Sequence, residues 1–492
     1  MQRNVFNFPL RDEEDNLITG TWVLQGKKLY SDIFFQRQPM ATVLSGAIQQ
    51  FTKPNTSYLL IKRHREFILF YSFIWVVILT LRFGIKGFSV GIILELIKFS
   101  LLGNLYHAEA LVVYPSIYIV GVVYDLYKTK KASAFDVGTI PPAAFFILFS
   151  RETLAPFIVL IFAITFLKLK KSRIKLLLSS LIISLIFFLF LFAPFVSYID
   201  FFKNTLVVNV LDFLPSEATY SWQYGLISTF FLPFKILFEP NEGFYIIAKL
   251  FSLLYIISLL AFIKLKKTVY LLLGFFLLST LNFRPADFGT FSEGRRFLPW
   301  FSVLVWIVIL NMQILIINTK KILTKVAISL SLFIFFMVLI LPYGIKEFSL
   351  HPDTFSMWYI NYSPYFDYGE TIRLLSEKDN TMLAMPQEPL IYWQSQLFSS
   401  SPYFFTLGYM YQRPRVFKSV KEKLETSPPD FLYIEGSEDL KNSIGHILGQ
   451  YAVVSKNDKP SKLLINKNKL LKISQEKWEK VERYGFNKPE IN

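Results

Sequence analysis

The run "LLLSSLIISLIFFLFLFAPFVSYI" at residues 176–199 decides the fold class, because it contains no charged residue over 24 positions. The hydrocarbon core of a bilayer is about 30 Å thick, and about 20 apolar residues cross it as a helix. A helix also satisfies its backbone hydrogen bonds internally, as lipid requires. The run therefore predicts a transmembrane helix.

Comparable runs recur along the 492-residue chain, which is 53% apolar and contains 52 Phe. Two others are "FILFYSFIWVVILTL" (67–81) and "FLPWFSVLVWIVILNMQILII" (297–317). The pattern predicts an α-helical polytopic membrane protein with about ten spans. These are residues 66–82, 87–103, 109–127, 133–149, 153–167, 176–198, 245–263, 268–282, 297–317 and 326–342.

The loops between these spans alternate in charge. The segments "RFGIK", "KTKK", "KLKKSRIK", "KLKK" and "NTKKILTK" together carry 16 Lys and Arg, whereas the alternate loops near 104–108, 151–152 and 283–296 carry four. Lys and Arg in short loops mark the cytoplasmic side. The first set is thus predicted to be cytoplasmic and the second extracytoplasmic. The net charge of +16 is explained by this topology signal, so we predict no nucleic-acid partner. One segment, "KRHR" (62–65), opposes the bias.

This topology predicts three parts. Residues 1–65 form a first extracytoplasmic loop with an acidic motif, residues 66–343 a transmembrane domain, and residues 344–492 a small extracytoplasmic α/β domain. Within the long loop 199–244, the apolar stretch 224–238 is broken by Pro233 and is interpreted as interfacial or re-entrant. The tail contains strand-like runs such as "TMLAMP" and "DFLYIEG" bounded by turn residues. The segment "YINYSPYFDYGE" (359–370) is interpreted as the linker into it.

Ionisable residues that lie against span ends are candidate functional residues, because charge is costly at membrane depth. Carboxylates suit general-base activation of a hydroxyl, and the planar guanidinium of arginine suits bidentate phosphate binding. Together they fit group transfer from a phosphate-linked lipid. The extracytoplasmic loops supply both kinds of residue: Asp12, Glu13, Asp32, Glu109, Arg151, Arg295 and Arg296.

No cysteine is present, so thiol chemistry and cysteine metal sites are excluded. No residues show metal-ligand spacing, and a divalent cation would depend on Asp12 and Glu109 meeting in space. His107 is interpreted as a structural neighbour of Glu109. No metal site is predicted.

The stretch "PLRDEEDNLITGTWVLQGKKLYSDIFFQRQP" (9–39) resembles the first extracytoplasmic loop of GT-C membrane glycosyltransferases. The similarity is to the branch of polyprenyl-phosphate-mannose protein mannosyltransferases and aminoarabinose transferases. It consists of the acidic pair Asp12-Glu13, then Gly26, the Tyr30-Ser31-Asp32 triplet and Pro39. The segment "GRRFLPWFSVLVW" (294–306) is similar to the arginine-rich entry into a late span of that family.

The resemblance implies an inverting glycosyltransferase that uses a polyprenyl-phosphate-linked sugar as donor and a protein, lipid or glycan as acceptor. It implies that Asp12 or Glu13 is the catalytic base. Glu109, Asp32 and Tyr30 would orient acceptor or donor, and Arg295, Arg296 and Arg151 would bind the donor phosphate. It also implies a span before the acidic cluster, which the sequence as given does not contain.

Two other function classes fit a polytopic chain. One is a transporter or lipid-carrier flippase without transferase activity, although such proteins favour inverted repeats and broken spans at the bilayer midplane. The other is an inactive relative that serves as a membrane scaffold. Candidate residues at one face, with no internal repeat, favour the enzyme.

Overall fold

The computed structural model describes residues 13–35, 37–129, 133–205, 222–239, 244–281, 294–319, 322–349, 354–385, 388–404, 414–435 and 444–489. Its first part contains the helices of the first loop and the apolar helices: α1 (Glu14–Leu24), α2 (Pro39–Thr52), α3 (Ser57–Phe83), α4 (Ile85–Ile97), α5 (Ala108–Thr129), α6 (Ala134–Ser150), α7 (Ala155–Lys168), α8 (Lys171–Phe192), α9 (Tyr198–Phe202), α10 (Trp222–Ile236), α11 (Phe244–Lys264), α12 (Thr268–Ser279), α13 (Gly294–Asn318), α14 (Ile322–Phe335) and α15 (Leu341–Ser349).

Every predicted span coincides with a helical segment. Five described helices are long and apolar enough to cross a membrane, namely α3, α5, α8, α11 and α13. The remaining predicted spans correspond to shorter helices such as α6 and α12, so the number ten stays a prediction. The stretch at 224–238 forms α10, which contains Pro233.

Helices α5 and α13 form the centre of the membrane domain. Over an apolar stretch of 18 residues in each helix, 89% of the residues are buried in α5 and 72% in α13. The corresponding shares are 22% in α3 and 17% in α8. Trp300 and Trp306 of α13 are fully buried, and Trp306 packs edge-on against Phe83 at 5.4 Å. The outer helices therefore expose apolar side chains, as a lipid-facing surface requires.

One end of the membrane domain is closed by an ion-pair network. Arg82 at the end of α3 donates to Asp136 of α6 at 2.9 Å and lies 3.0 Å from Asp125 of α5. Ser133 and Asp136 also form a capping box at the start of α6. The opposite ends of α5 and α6, with the start of α13, carry His107, Arg151 and Arg295. We call this opposite end the site end.

The first loop folds into two helices at the site end. α1 ends at Leu24, and Gly26, which follows, has a φ of +89°, a conformation that glycine adopts without strain. α1 and α2 then cross closely: a Cβ added to Gly20 would lie 2.6 Å from the Ser45 hydroxyl oxygen. Thr19 and Thr42 hydrogen-bond at the same crossing, with 3.0 Å between their oxygens. The glycine in the predicted motif therefore follows the end of a helix.

The tail is the predicted α/β unit. Its elements are: α16 (Thr354–Leu375), β1 (Thr381–Met385), α17 (Pro389–Ser395), β2 (Phe398–Ser399), α18 (Pro414–Thr426), β3 (Phe431–Ile434), α19 (Gly445–Leu448), β4 (Tyr451–Lys456), β5 (Lys459–Asn466), α20 (Lys467–Leu470), α21 (Gln475–Glu482) and β6 (Phe486–Asn487).

The six strands form one mixed sheet in the order β2-β1-β3-β5-β4-β6. β1 pairs in parallel with β2 and β3, and the other pairs are antiparallel. Residues 359–370, interpreted from sequence as the linker into the tail, lie inside helix α16.

The tail packs on the first loop through aromatic side chains. Trp22 of α1 lies edge-on to Tyr392 of α17 at 5.3 Å and to Phe404 at 4.7 Å between ring centroids. The backbone amide of Phe34 donates to the carbonyl of Pro402 at 3.0 Å. One continuous core therefore joins the first loop to the sheet.

A carboxyl pair follows the parallel strands β1 and β3. The pKa of Glu388 is raised to about 8, first by burial and then by the adjacent Glu435, to which it donates a hydrogen bond, while Tyr365 and Lys462 lower it. The folded state therefore holds a proton that the unfolded chain releases at lower pH. We expect the free energy of unfolding to fall as pH rises from about 5 to 8.

Replacing Glu388 by Gln should remove this slope and raise the unfolding midpoint at pH 8. Thermal unfolding of the solubilised full chain between pH 5 and pH 9 measures both quantities. A slope in Glu388→Gln equal to that of the wild type would contradict the assignment.

Candidate functional site

Glu13 is held at the site end by hydrogen bonds from two residues, Arg65 and Tyr106. Nε and Nη2 of Arg65 lie 2.8 and 2.7 Å from Oε1, and the backbone amide of Tyr106 donates to Oε2 at 3.0 Å. The side chains of Glu13 and Arg65 are each 1% exposed. Both carboxylate oxygens thus accept charge-assisted or backbone hydrogen bonds.

Arg65 also bonds to the tail. Its Nη2 donates to the hydroxyl of Tyr362 on α16 at 3.0 Å, and Tyr362 is 1% exposed. Burial, the largest cause, and the charge of Glu13 raise the pKa of Tyr362, so its hydroxyl stays protonated. One guanidinium therefore links the first loop, α3 and the tail.

Arg65 occupies this position because α3 begins earlier than the predicted span. The Thr56 hydroxyl accepts from the Leu59 amide at 3.1 Å and caps the helix. Residues 62–65 then lie inside the helix, and His64 and Arg65 point inward, with His64 Nε2 2.8 Å from the Ser45 hydroxyl. The "KRHR" segment that opposed the charge bias is thus part of the site.

Asp15 and Tyr30 stabilise the loop that follows. The buried Asp15 carboxylate lies 2.9 Å from Nε of Arg37. The Tyr30 hydroxyl donates to the carbonyl of Arg37 at 2.7 Å, and burial, followed by the charge of Glu152, raises its pKa well above the usual value. Asp32 is exposed and accepts from the Lys28 amide at 2.8 Å, so it closes a turn away from Glu13.

Glu109 and Arg151 form an ion pair at the start of α5 and the end of α6. Arg151 Nε also donates to the Thr153 hydroxyl at 3.0 Å. The two residues came from different predicted loops, and the structure brings them together. The carboxylate of Glu109 is thereby neutralised beside the loop that carries His107.

His107 marks the point where the arginines converge. Its side chain is buried. Burial is the largest cause that lowers its pKa well below the usual value, and four nearby guanidinium groups lower it further. These belong to Arg295, Arg37, Arg65 and Arg151. The imidazole is therefore neutral, and three of these arginines, Arg37, Arg65 and Arg151, are themselves paired with carboxylates.

Arg295 and Arg296 lie in the first turn of α13, and Arg295 is 9% exposed. The N-terminus of a long helix favours anions, because its first amides lack partners inside the helix. Asp12 lies outside the described residues, directly before Glu13. Among the described residues, no group of three or more His, Asp or Glu could hold a metal ion.

Three members of the site were missed by sequence reasoning, namely Arg65, Arg37 and Tyr362. The sequence did carry a signal for Arg65, namely the basic segment 62–65, which lies on the side where the charge bias predicts few Lys and Arg. Tyr362 carried no signal, because a helix of the tail reaches Arg65 only in the folded chain.

The buried pair of Glu13 and Arg65 predicts a large effect on stability. Glu13→Gln leaves the buried guanidinium uncompensated, and losing one partner of such a pair costs about 3–5 kcal/mol. We expect a clearly lowered unfolding midpoint for the solubilised protein, and partial recovery in the double variant Glu13→Gln with Arg65→Gln.

The matched control is Glu476→Gln, which removes one partner of the exposed pair with Lys480 and should leave the midpoint unchanged. Equal midpoints for Glu13→Gln and Glu476→Gln would show that the buried pair does not stabilise the fold.

Comparisons with known proteins find the fold but not a family. No family model matches the chain, and no curated protein sequence matches it. Among solved structures, the chain is similar to ArnT from Cupriavidus metallidurans bound to undecaprenyl phosphate, with a TM-score of 0.52 and 10% sequence identity. The match covers 94% of this chain and 95% of that chain. This similarity of fold over nearly the whole of both chains supports the predicted GT-C fold, and it does not show the subfamily.

Proposed function

We propose that the protein is a membrane glycosyltransferase that moves a sugar from a polyprenyl-phosphate-linked donor to an acceptor hydroxyl or amine. The observation that carries this proposal is the set of carboxylate–arginine pairs that the fold brings to the site end, namely Glu13–Arg65, Asp15–Arg37 and Glu109–Arg151. The ArnT-like fold and the undecaprenyl phosphate bound to ArnT support a lipid-phosphate donor. The alternative remains a transporter or lipid-carrier flippase.

Asp12 is the base in this proposal. Both carboxylate oxygens of Glu13 already accept hydrogen bonds from Arg65 and Tyr106, so proton transfer to Glu13 would break the buried pair. Glu13 instead holds the loop in place, and its neighbour Asp12 accepts the proton of the acceptor hydroxyl.

The reaction is a single displacement with inversion. The acceptor oxygen attacks the anomeric carbon as the bond from that carbon to the phosphate oxygen breaks, and the bonding electrons go to the phosphate. The negative charge on the phosphate group increases by one unit as this bond breaks. Pre-oriented cations stabilise the charge that develops in the transition state. Arg295, Arg296 and Arg151 supply this stabilisation, while Glu109 orients Arg151 through their ion pair.

Removing the base tests the proposal. Asp12→Asn should lower sugar transfer by about 100-fold or more, since general-base catalysis contributes typically 10²–10⁴-fold. The assay measures polyprenyl phosphate released from polyprenyl-phosphate-linked mannose and aminoarabinose by the purified full chain with an envelope extract as acceptor.

Asp200→Asn is the control, because Asp200 is a carboxylate bonded to the Ser197 hydroxyl at 2.6 Å outside the acidic motif. It should retain transfer. Unchanged turnover in Asp12→Asn would disprove the role of this carboxylate, and wild-type movement of donor lipid across proteoliposomes without transfer would favour the flippase.

The proposal places the tail and the site end on the extracytoplasmic face. Added protease should therefore cleave the tail in intact cells or spheroplasts, with a cytoplasmic protein protected in the same sample. Protection of the tail until the membrane is permeabilised would reverse the topology.

A further inference from the structure

The loop before α5 contains polar side chains that the fold buries without satisfying. Nε2 of His107 and both the side-chain nitrogen and oxygen of Asn104 have no hydrogen-bond partner within the described part of the chain. Both residues are 2% exposed. Buried polar groups are nearly always hydrogen-bonded, so orphaned ones require an explanation.

This loop is held rigidly. The Gly103 amide donates to the carbonyl of Lys98 at 2.8 Å, and the Lys98 ammonium lies 2.7 Å from Glu95 and 3.0 Å from the Ser72 hydroxyl. The Tyr106 hydroxyl donates to the Ala41 carbonyl at 2.7 Å. Asn104 and His107 therefore cannot reach partners by a simple movement of the loop.

The loop also lies against the first turns of α13. A Cβ added to Gly103 would approach Cδ2 of Leu298 to 2.9 Å, and Leu298 follows Arg295 by less than one helical turn. The absence of a side chain at Gly103 thus lets the loop approach the helix N-terminus, where anions bind favourably.

We propose that Asn104 and His107 are uncharged ligands of the donor's phosphate group, which they meet between the 102–107 loop and the start of α13. This inference rests on the proposed function and deepens it. The Asn104 amide donates through its nitrogen, and His107 donates through Nε2.

Uncharged donors suit this position for an electrostatic reason. Four guanidinium groups already surround His107, and together with burial they keep the imidazole neutral. Further charge would have to be buried beside them, at high cost. A neutral donor contributes a directed hydrogen bond to the phosphate at no such cost.

The proposal predicts that binding and stability change in opposite directions. Replacing an orphaned buried polar group by an apolar group of similar shape is nearly neutral or stabilising for the fold. The variants His107→Leu and Asn104→Leu should therefore keep or raise the unfolding midpoint while they weaken binding of undecaprenyl monophosphate at least 10-fold.

Conservative variants sharpen the test. His107→Gln places an amide nitrogen near the position of Nε2 and should retain binding within about three-fold, since it restores a neutral donor. Asn104→Asp removes the donor and adds a negative charge, so it should bind at least as weakly as Asn104→Leu.

The matched control is Ser116→Ala on α5. The Ser116 hydroxyl is also buried and has no hydrogen-bond partner among the described residues, but it lies more than two helical turns from the start of α5. It should leave binding unchanged, which separates a phosphate ligand from a buried polar group of any kind.

Binding is measured by titration of undecaprenyl monophosphate into the purified full chain in nanodiscs, with inorganic phosphate as competitor. Competition by phosphate shows that the phosphoryl group is recognised, whereas competition by phosphatidylglycerol alone would assign the site to a membrane lipid and overturn the proposal.

Wild-type affinity in His107→Leu and Asn104→Leu would also overturn it, as would a loss of affinity that follows a loss of stability. The binding test does not depend on sugar transfer. If no donor supports transfer but these variants weaken phosphate binding selectively, the phosphate site is supported and the proposed enzyme activity is contradicted.

Discussion

The buried ion pair of Glu13 and Arg65 is the interaction on which the site end depends. Both side chains are almost completely excluded from solvent, where an isolated charge is very costly. Each side chain of the pair also has a further partner, the Tyr106 amide for Glu13 and the Tyr362 hydroxyl for Arg65. The first loop, α3, the 102–107 loop and the tail must therefore all be in place together.

This constraint explains why the tail is part of the site and not an appended domain. Tyr362 approaches Arg65 from α16, and Trp22 of the first loop inserts among the aromatic rings of Tyr392 and Phe404. The acidic loop is thus enclosed between the membrane domain and the sheet. Enclosure lowers the local dielectric constant, which strengthens each electrostatic interaction and makes each unpaired charge more costly.

The carboxylates and the arginines at the site end come from different elements of the fold. Glu13, Asp15 and Glu109 are each paired with an arginine, and Arg295 and Arg296 come from the start of α13. Burial, followed by the charges of four nearby arginines, keeps the imidazole of His107 neutral. This arrangement is the basis on which a lipid phosphate is proposed as the ligand of the site end.

The sequence by itself determined the membrane class, the main apolar helices and the α/β tail, because each follows from local patterns: apolar runs of bilayer length, and short strand-like runs bounded by turn residues. It could not predict that Arg65 would face inward, since the start of α3 depends on a cap nine residues earlier. It could not connect Tyr362 to Arg65 across 297 residues. Only the tertiary structure decided which charges are paired, because pairing in a buried site depends on which elements exclude water from it together.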